Sequence, residues 1–203
     1  MLAIVLVLAG SLVTSALGAV FVVVWARVSN TPWSDLGYVR PKSWLRTVAL
    51  AIPFGAALKL VVKALVMPLF GAPAINPTYH YLAGNPGALP LMLAGVIIGA
   101  GFGEETVFRA YMFERLRKLF GSGAPATALI VLFTSTVFSL AHFHDQGLAG
   151  SEQAAITGIV FGTIFALTNQ IWPVMIAHAA FDVTAVAIIY WDVESTVAHL
   201  IFK

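Results

Sequence analysis

Leu91-Met92-Leu93-Ala94-Gly95-Val96-Ile97-Ile98-Gly99-Ala100-Gly101-Phe102 runs without a polar side chain into Gly103-Glu104-Glu105-Thr106-Val107-Phe108-Arg109. A helix over this stretch is apolar for about three turns and then carries two adjacent carboxylates and an arginine. Glu105 and Arg109 are four residues apart, share a face and can pair. Glu104 is rotated away by about 100°, out of easy reach of the same cation. Burying a carboxylate without a partner in apolar surroundings is costly, so a helix that keeps one has a use for it. Gly95, Gly99 and Gly103 form overlapping small-xxx-small spacings, which let another backbone come close.

The surroundings of this stretch are equally apolar. Of 203 residues, 60% are hydrophobic and only 10% charged, where a soluble domain carries about 25%. Mean hydropathy is +0.92. The chain therefore reads as an all-α, polytopic membrane helical bundle of about six transmembrane helices, one integral-membrane domain over 1–203, with the lipid bilayer as its main partner. The absence of cysteine excludes a disulfide framework, a thiol nucleophile and a thiolate metal site. A net charge of +2 is too small to imply nucleic acid.

Six apolar runs are separated by polar connectors. Leu2 to Trp25 is long enough to span, and no Lys or Arg precedes it, so it reads as a retained helix rather than a cleaved signal. The second run, Thr47 to Phe70, carries Lys59 and Lys63 on one face, which snorkelling or pairing inside the bundle explains more simply than an ion path. The third starts near Pro90. The fourth is Ala126 to Phe143, the fifth Gln153 to Thr168 with Gly158 and Gly162, and the sixth Val174 to Trp191. His80, between Tyr79 and Tyr81, reads as an interfacial residue, and the tail to Lys203 as short and semi-apolar. Arg27, Arg40, Lys42 and Arg46 flank the first connector, and Arg115, Arg117 and Lys118 the third, whereas the second and fourth have no basic residue. The positive-inside rule puts the basic connectors in the cytoplasm and both termini outside, in a multi-pass protein of the cell membrane.

Inside these runs, ionisable side chains that lipid does not favour come from three helices: Glu104, Glu105, Arg109, His142, His178 and Asp182, beside the two lysines. Such residues face the bundle interior and mark a functional site. His178 and Asp182 are four apart and could hydrogen-bond, either as a catalytic couple or as a polar clasp between helices. His144 falls on another face from His142. There is no His-Glu-x-x-His signature, although Glu104, His142 and His178 would make a two-histidine, one-glutamate zinc site if their helices converged; spacing decides neither way. The residues require no cofactor, and a divalent metal such as zinc stays open as one they could hold. No Gly-x-Ser-x-Gly elbow or Cys–His dyad occurs, which argues against serine and cysteine mechanisms.

Glu104-Glu105-x-x-x-Arg109, Phe138-x-x-x-His142 and His178-x-x-x-Asp182, in that order, resemble the three motifs of the CAAX protease and bacteriocin-processing (CPBP or Abi) family of intramembrane proteases, to which the type II CAAX prenyl endopeptidase belongs. Gly158-x-x-x-Gly162 through Trp172-Pro173 is similar to the lead-in to the third motif. The resemblance covers about 91–191. It implies an intramembrane endopeptidase acting on membrane-associated proteins or peptides, with Glu104 as general base, His142 positioning the water, His178 stabilising the oxyanion, and Glu105 with Arg109 bracing the site. The family is commonly labelled metalloprotease, while a glutamate mechanism needs no metal. The type II enzymes end the third motif in asparagine; Asp182 donates only when protonated, so its expected part is to orient His178.

Two other readings compete: a transporter or proton relay that titrates Glu104, His142, His178 and Asp182, and a non-catalytic immunity or scaffold protein that keeps them for helix packing. One tension is internal to the spans. Glu104 and His178 lie about 14 residues, roughly 20 Å, from the outer ends of their helices, but His142 falls close to the outer end of its own. Either the fourth helix continues past His144, or the helices tilt, or the span edges are displaced.

Overall fold

The computed structural model describes residues 12–202, all helix and connector, with no strand among them. The early part of the expected first span, 2–11, lies outside the described residues. We number the helices α1 (Leu12–Val28), α2 (Trp44–Leu69), α3 (Leu89–Phe120), α4 (124–146), α5 (148–168), α6 (Ile171–Tyr190) and α7 (Glu194–Ala198). Four helical runs are long and apolar enough to cross a membrane: Trp44–Leu69, Leu89–Phe120, Ala124–Thr168 and Ile171–Tyr190.

The 45-residue run Ala124–Thr168 is two helices. At Gly147 the backbone turns to φ 63°, ψ −162°, a conformation that a side chain disfavours and that reverses the chain. α4 and α5 then pack as an antiparallel hairpin: the Ser139 and Ser151 hydroxyls lie 2.8 Å apart, and a Cβ on Gly158 would come within 3.1 Å of the Ser135 Cα. The expected loop after Phe143 is therefore helix, and it is the first of the three alternatives that holds: α4 continues past His144.

Close backbone approach sets the rest of the bundle. A Cβ on Gly55 of α2 would sit 2.0 Å from the Ala177 carbonyl oxygen of α6, and one on Gly103 of α3 would sit 2.8 Å from the Ser15 backbone of α1. Packing between membrane helices gains little from burial of apolar surface, so small residues that allow such approach decide which helices meet. α3 is central, touching α1, α6 and, through Phe108 on Phe138, α4. Apolar side chains fill the interior, with Phe161, Phe165, Ile171 and Val174 wholly buried. Leu45, Leu91, Leu140 and Leu167 are exposed on the outer faces, as lipid contact requires.

Over most of Gly95–Tyr111, α3 is wound as a π-helix, with hydrogen bonds from i to i+5. This is a wider turn than the α-helix, and side chains advance around the axis by a smaller angle per residue. At the basic end, Tyr38 of the first connector donates to the Thr106 hydroxyl at 2.7 Å, since the single Thr106 proton is used on the Phe102 carbonyl at 2.6 Å. Burial pushes the Tyr38 phenol up to about 12, so it keeps its proton at any physiological pH. Trp172 packs edge-on against Tyr38 and Trp44, the aromatic belt expected of a membrane interface.

At the other end, the C-terminal halves of α2, α4 and α6, the start of α3 and α5, and the 72–82 segment surround one cavity of about 420 Å³. It opens away from the basic connectors. With no native cysteine in the way, single cysteines at the exposed positions Asn85 and Ser122 test the orientation. In intact cells, Asn85→Cys is expected to react with a membrane-impermeant maleimide and Ser122→Cys only after permeabilisation; the reverse pattern would invert the topology.

Candidate active site

The two adjacent glutamates of α3 meet on one imidazole. Glu105 Oε1 accepts a 2.7 Å hydrogen bond from His178 Nδ1, and Glu104 Oε2 lies 3.9 Å from His178 Nε2, so α3 holds both edges of a ring carried by α6. Glu105 is wholly buried and also faces Arg109 Nη1 at 2.9 Å, close enough for charge pairing although not aligned as a hydrogen bond. The Arg109 guanidinium, only 1% exposed, lies 4.5 Å over the Phe138 ring and 6.0 Å from those of Phe108 and Phe161. Cation–π contact with α4 and α5 thus supplements the single carboxylate in solvating a buried cation.

The orienting partner of His178 is therefore Glu105, and the expected hydrogen bond to Asp182 is not formed. Asp182 Oδ2 stands 3.5 Å from Nε2, on the side where Glu104 also approaches. Because a carboxylate can only accept, His178 Nδ1 carries a proton. Nε2 then faces two carboxylates, and a bare lone pair between two negative charges is unfavourable; His178, Glu104 and Asp182 must share at least one proton. Glu104 Oε2 has no hydrogen-bond partner among the described residues.

His142 joins this group because α4 runs on to 146. Its Nδ1 donates to the Phe138 carbonyl at 2.8 Å, which leaves Nε2 as an acceptor, and its ring packs 4.5 Å from that of Phe138. Glu104, His142, His178 and Asp182 all line the cavity, together with Phe138 and Phe181. Glu105 and Arg109 lie behind His178 and do not line it. No three His, Asp or Glu side chains among the described residues are grouped as ligands of a metal ion. No step below passes through a metal.

Several cavity residues carried no sequence signal. Glu194 of α7, in the short semi-apolar tail, is buried and accepts from Lys63 Nζ at 3.3 Å and from the Asn76 amide at 3.0 Å. His80 Nδ1 lies 3.6 Å from the same carboxylate, without a hydrogen bond to it. Lys63 also donates to the Ala74 carbonyl at 2.5 Å, so pairing inside the bundle is the right account of this lysine. Gln153 and Tyr79 line the cavity without any spacing that marks them; burial pushes the Tyr79 phenol up to about 12.

If Glu105 is the keystone, its loss is structural. Glu105→Ala strands Arg109 and unhooks His178, and is expected to cost about 3–5 kcal/mol, read as a lowered unfolding midpoint in detergent. Glu104→Gln, which strips no cation of its partner, is expected to leave that midpoint unmoved.

No curated protein and no solved structure matches the chain. Residues 86–184 match the family model described as type II CAAX prenyl endopeptidase Rce1-like. The match takes in all of the site: Glu104, Glu105 and Arg109 on α3, His142 on α4, and His178 and Asp182 on α6. This helical core is similar to the Rce1-like type II CAAX prenyl endopeptidases, a family of membrane proteases.

Proposed function

We propose that the protein is an intramembrane endopeptidase that hydrolyses peptide bonds of membrane-associated proteins or peptides with a Glu104-activated water. The observation that carries this reading is the meeting of Glu104, His142 and His178 on one cavity, with Glu104 Oε2 unpartnered and Glu105 committed elsewhere. An unneutralised carboxylate in a water-poor site is well suited to take a proton.

The chemistry follows from the atoms available. Glu104 takes a proton from a water that His142 Nε2 holds by its second hydrogen. The hydroxide so formed bonds to the carbonyl carbon of the scissile peptide, and the tetrahedral oxyanion accepts from His178 Nε2–H. Glu104 then returns the proton to the departing nitrogen, the C–N bond breaks, and the new carboxylic acid passes its proton to the amine, so that a carboxylate and an ammonium leave. Donors preset toward a developing oxyanion in a dry site are worth about 3–4 kcal/mol each. Asp182 holds the shared proton on the Nε2 side of His178, so an aspartate serves where an asparagine would donate directly. The cavity opens away from the basic connectors, so the scissile segment enters from the face that the charge pattern puts outside the cytoplasm. A prenyl group on the substrate is no part of this reading.

Glu104→Gln keeps shape and hydrogen bonding but cannot accept the proton. It is expected to lower cleavage in proteoliposomes by about 10²–10⁴-fold, with the protein folded, and to remove the corresponding new termini from cell proteomes. Full cleavage by the variant would refute the glutamate mechanism. A folded, non-cleaving wild type whose cellular phenotype survives the change would favour a scaffold.

A further inference from the structure

Lys59 is the cavity's unexplained charge. It lies on α2, 7% exposed, and faces the cavity four residues before Lys63. Lys63 is neutralised by Glu194, whereas Lys59 has no carboxylate within salt-bridge distance among the described residues. Residues 1–11 and Lys203, which lie outside the description, contain no Asp or Glu side chain to supply one. Lys59 Nζ donates to Gln153 Oε1 of α5 at 2.8 Å and stands 4.9 Å from the Phe181 ring centroid. Gln153 takes one of three ammonium protons.

The other carboxylates on the cavity each have nearer neighbours. Glu194 faces Lys63, Asp145 meets His144 at 2.6 Å, and Glu104 and Asp182 both face His178. A buried ammonium whose contacts are one amide oxygen and one ring is poorly compensated for leaving water. A ligand carboxylate would complete it. Phe181, the ring under this cation, directly precedes Asp182, so the ammonium stands at the catalytic end of the cavity. With Lys63 paired to Glu194, the one ammonium left over suits a single negative charge, a carboxylate rather than a doubly charged phosphate.

We infer that Lys59 receives a carboxylate of the bound polypeptide, so that the enzyme selects substrates with an acidic group at a fixed distance from the cleaved bond. This rests on the hydrolytic reading above. Two sources share the chemistry, an Asp or Glu side chain and a free C-terminus.

The test is the cleavage preference of wild type, Lys59→Gln and Lys59→Glu in proteoliposomes. The probe is a mixed peptide library presented with free and with amidated C-termini. Wild type is expected to prefer peptides with the acidic group by at least about tenfold in kcat/KM, with the preference gone in Lys59→Gln and turned toward Lys or Arg in Lys59→Glu. If amidation removes the preference, the carboxylate is C-terminal; if an Asp or Glu remains enriched at one position, it is a side chain. A wild type indifferent to acidic groups overturns the inference, as does a Lys59→Gln enzyme slowed equally on all peptides, since Lys59 would then only balance Asp182. Should wild type cleave nothing, the protease reading fails by itself. Lys59 is then decided by binding: stabilisation of wild type but not Lys59→Gln by N-acetyl-aspartate amide or N-acetyl-alanine, and not by N-acetyl-asparagine amide, upholds it, and no difference overturns it.

Discussion

A single wholly buried carboxylate, Glu105, ties the molecule together. It meets Arg109 on its own helix and the His178 imidazole on α6, while Arg109 lies over aromatic rings from α4 and α5. Four helices are thereby joined through one charge pair out of contact with water. Breaking such a pair strands a charge at high cost, whereas keeping it adds less to stability than its contacts suggest. What it supplies is position: the His178 ring is fixed by Nδ1, and Nε2 is held toward the cavity.

This arrangement explains why two adjacent glutamates occur together. One carries the structural load behind His178, and its neighbour lines the cavity. Consecutive side chains of α3 reach opposite edges of the same His178 ring. Close approaches at Gly55 and Gly103 bring α6 to α2 and α1 to α3, which leaves the cavity between α2, α6 and the α4–α5 hairpin. The cavity and its ionisable side chains thus lie at the end of the bundle away from the basic connectors.

Much of this is legible in the chain. Apolar runs of spanning length give the bundle, and the rarity of charge inside them singles out Glu104, Glu105, Arg109, His142, His178 and Asp182. The i,i+4 spacing correctly pairs Glu105 with Arg109, because that contact is local. The same logic fails for His178 and Asp182. There a residue far away in sequence, Glu105, takes the Nδ1 proton, and no helical periodicity reports a contact between α3 and α6. Depth misleads at His142, because a polar segment carrying His144, Asp145 and Gln146 reads as loop, while the only break is the positive φ of Gly147. Glu194 is hidden for a related reason: a five-residue helix has too short a period to show which face is buried.

The central claim is that His178 is held by Glu105 through a protonated Nδ1. The most direct measurement is magnetic resonance of isotope-labelled imidazole nitrogens in the reconstituted protein, with the His178 signals among five histidines assigned by their loss in His178→Ala. The account predicts an Nδ1 that bears a proton strongly hydrogen-bonded to a carboxylate, and a resonance that moves when Glu105 becomes Gln. An Nδ1 without a proton, or one indifferent to that substitution, would contradict it.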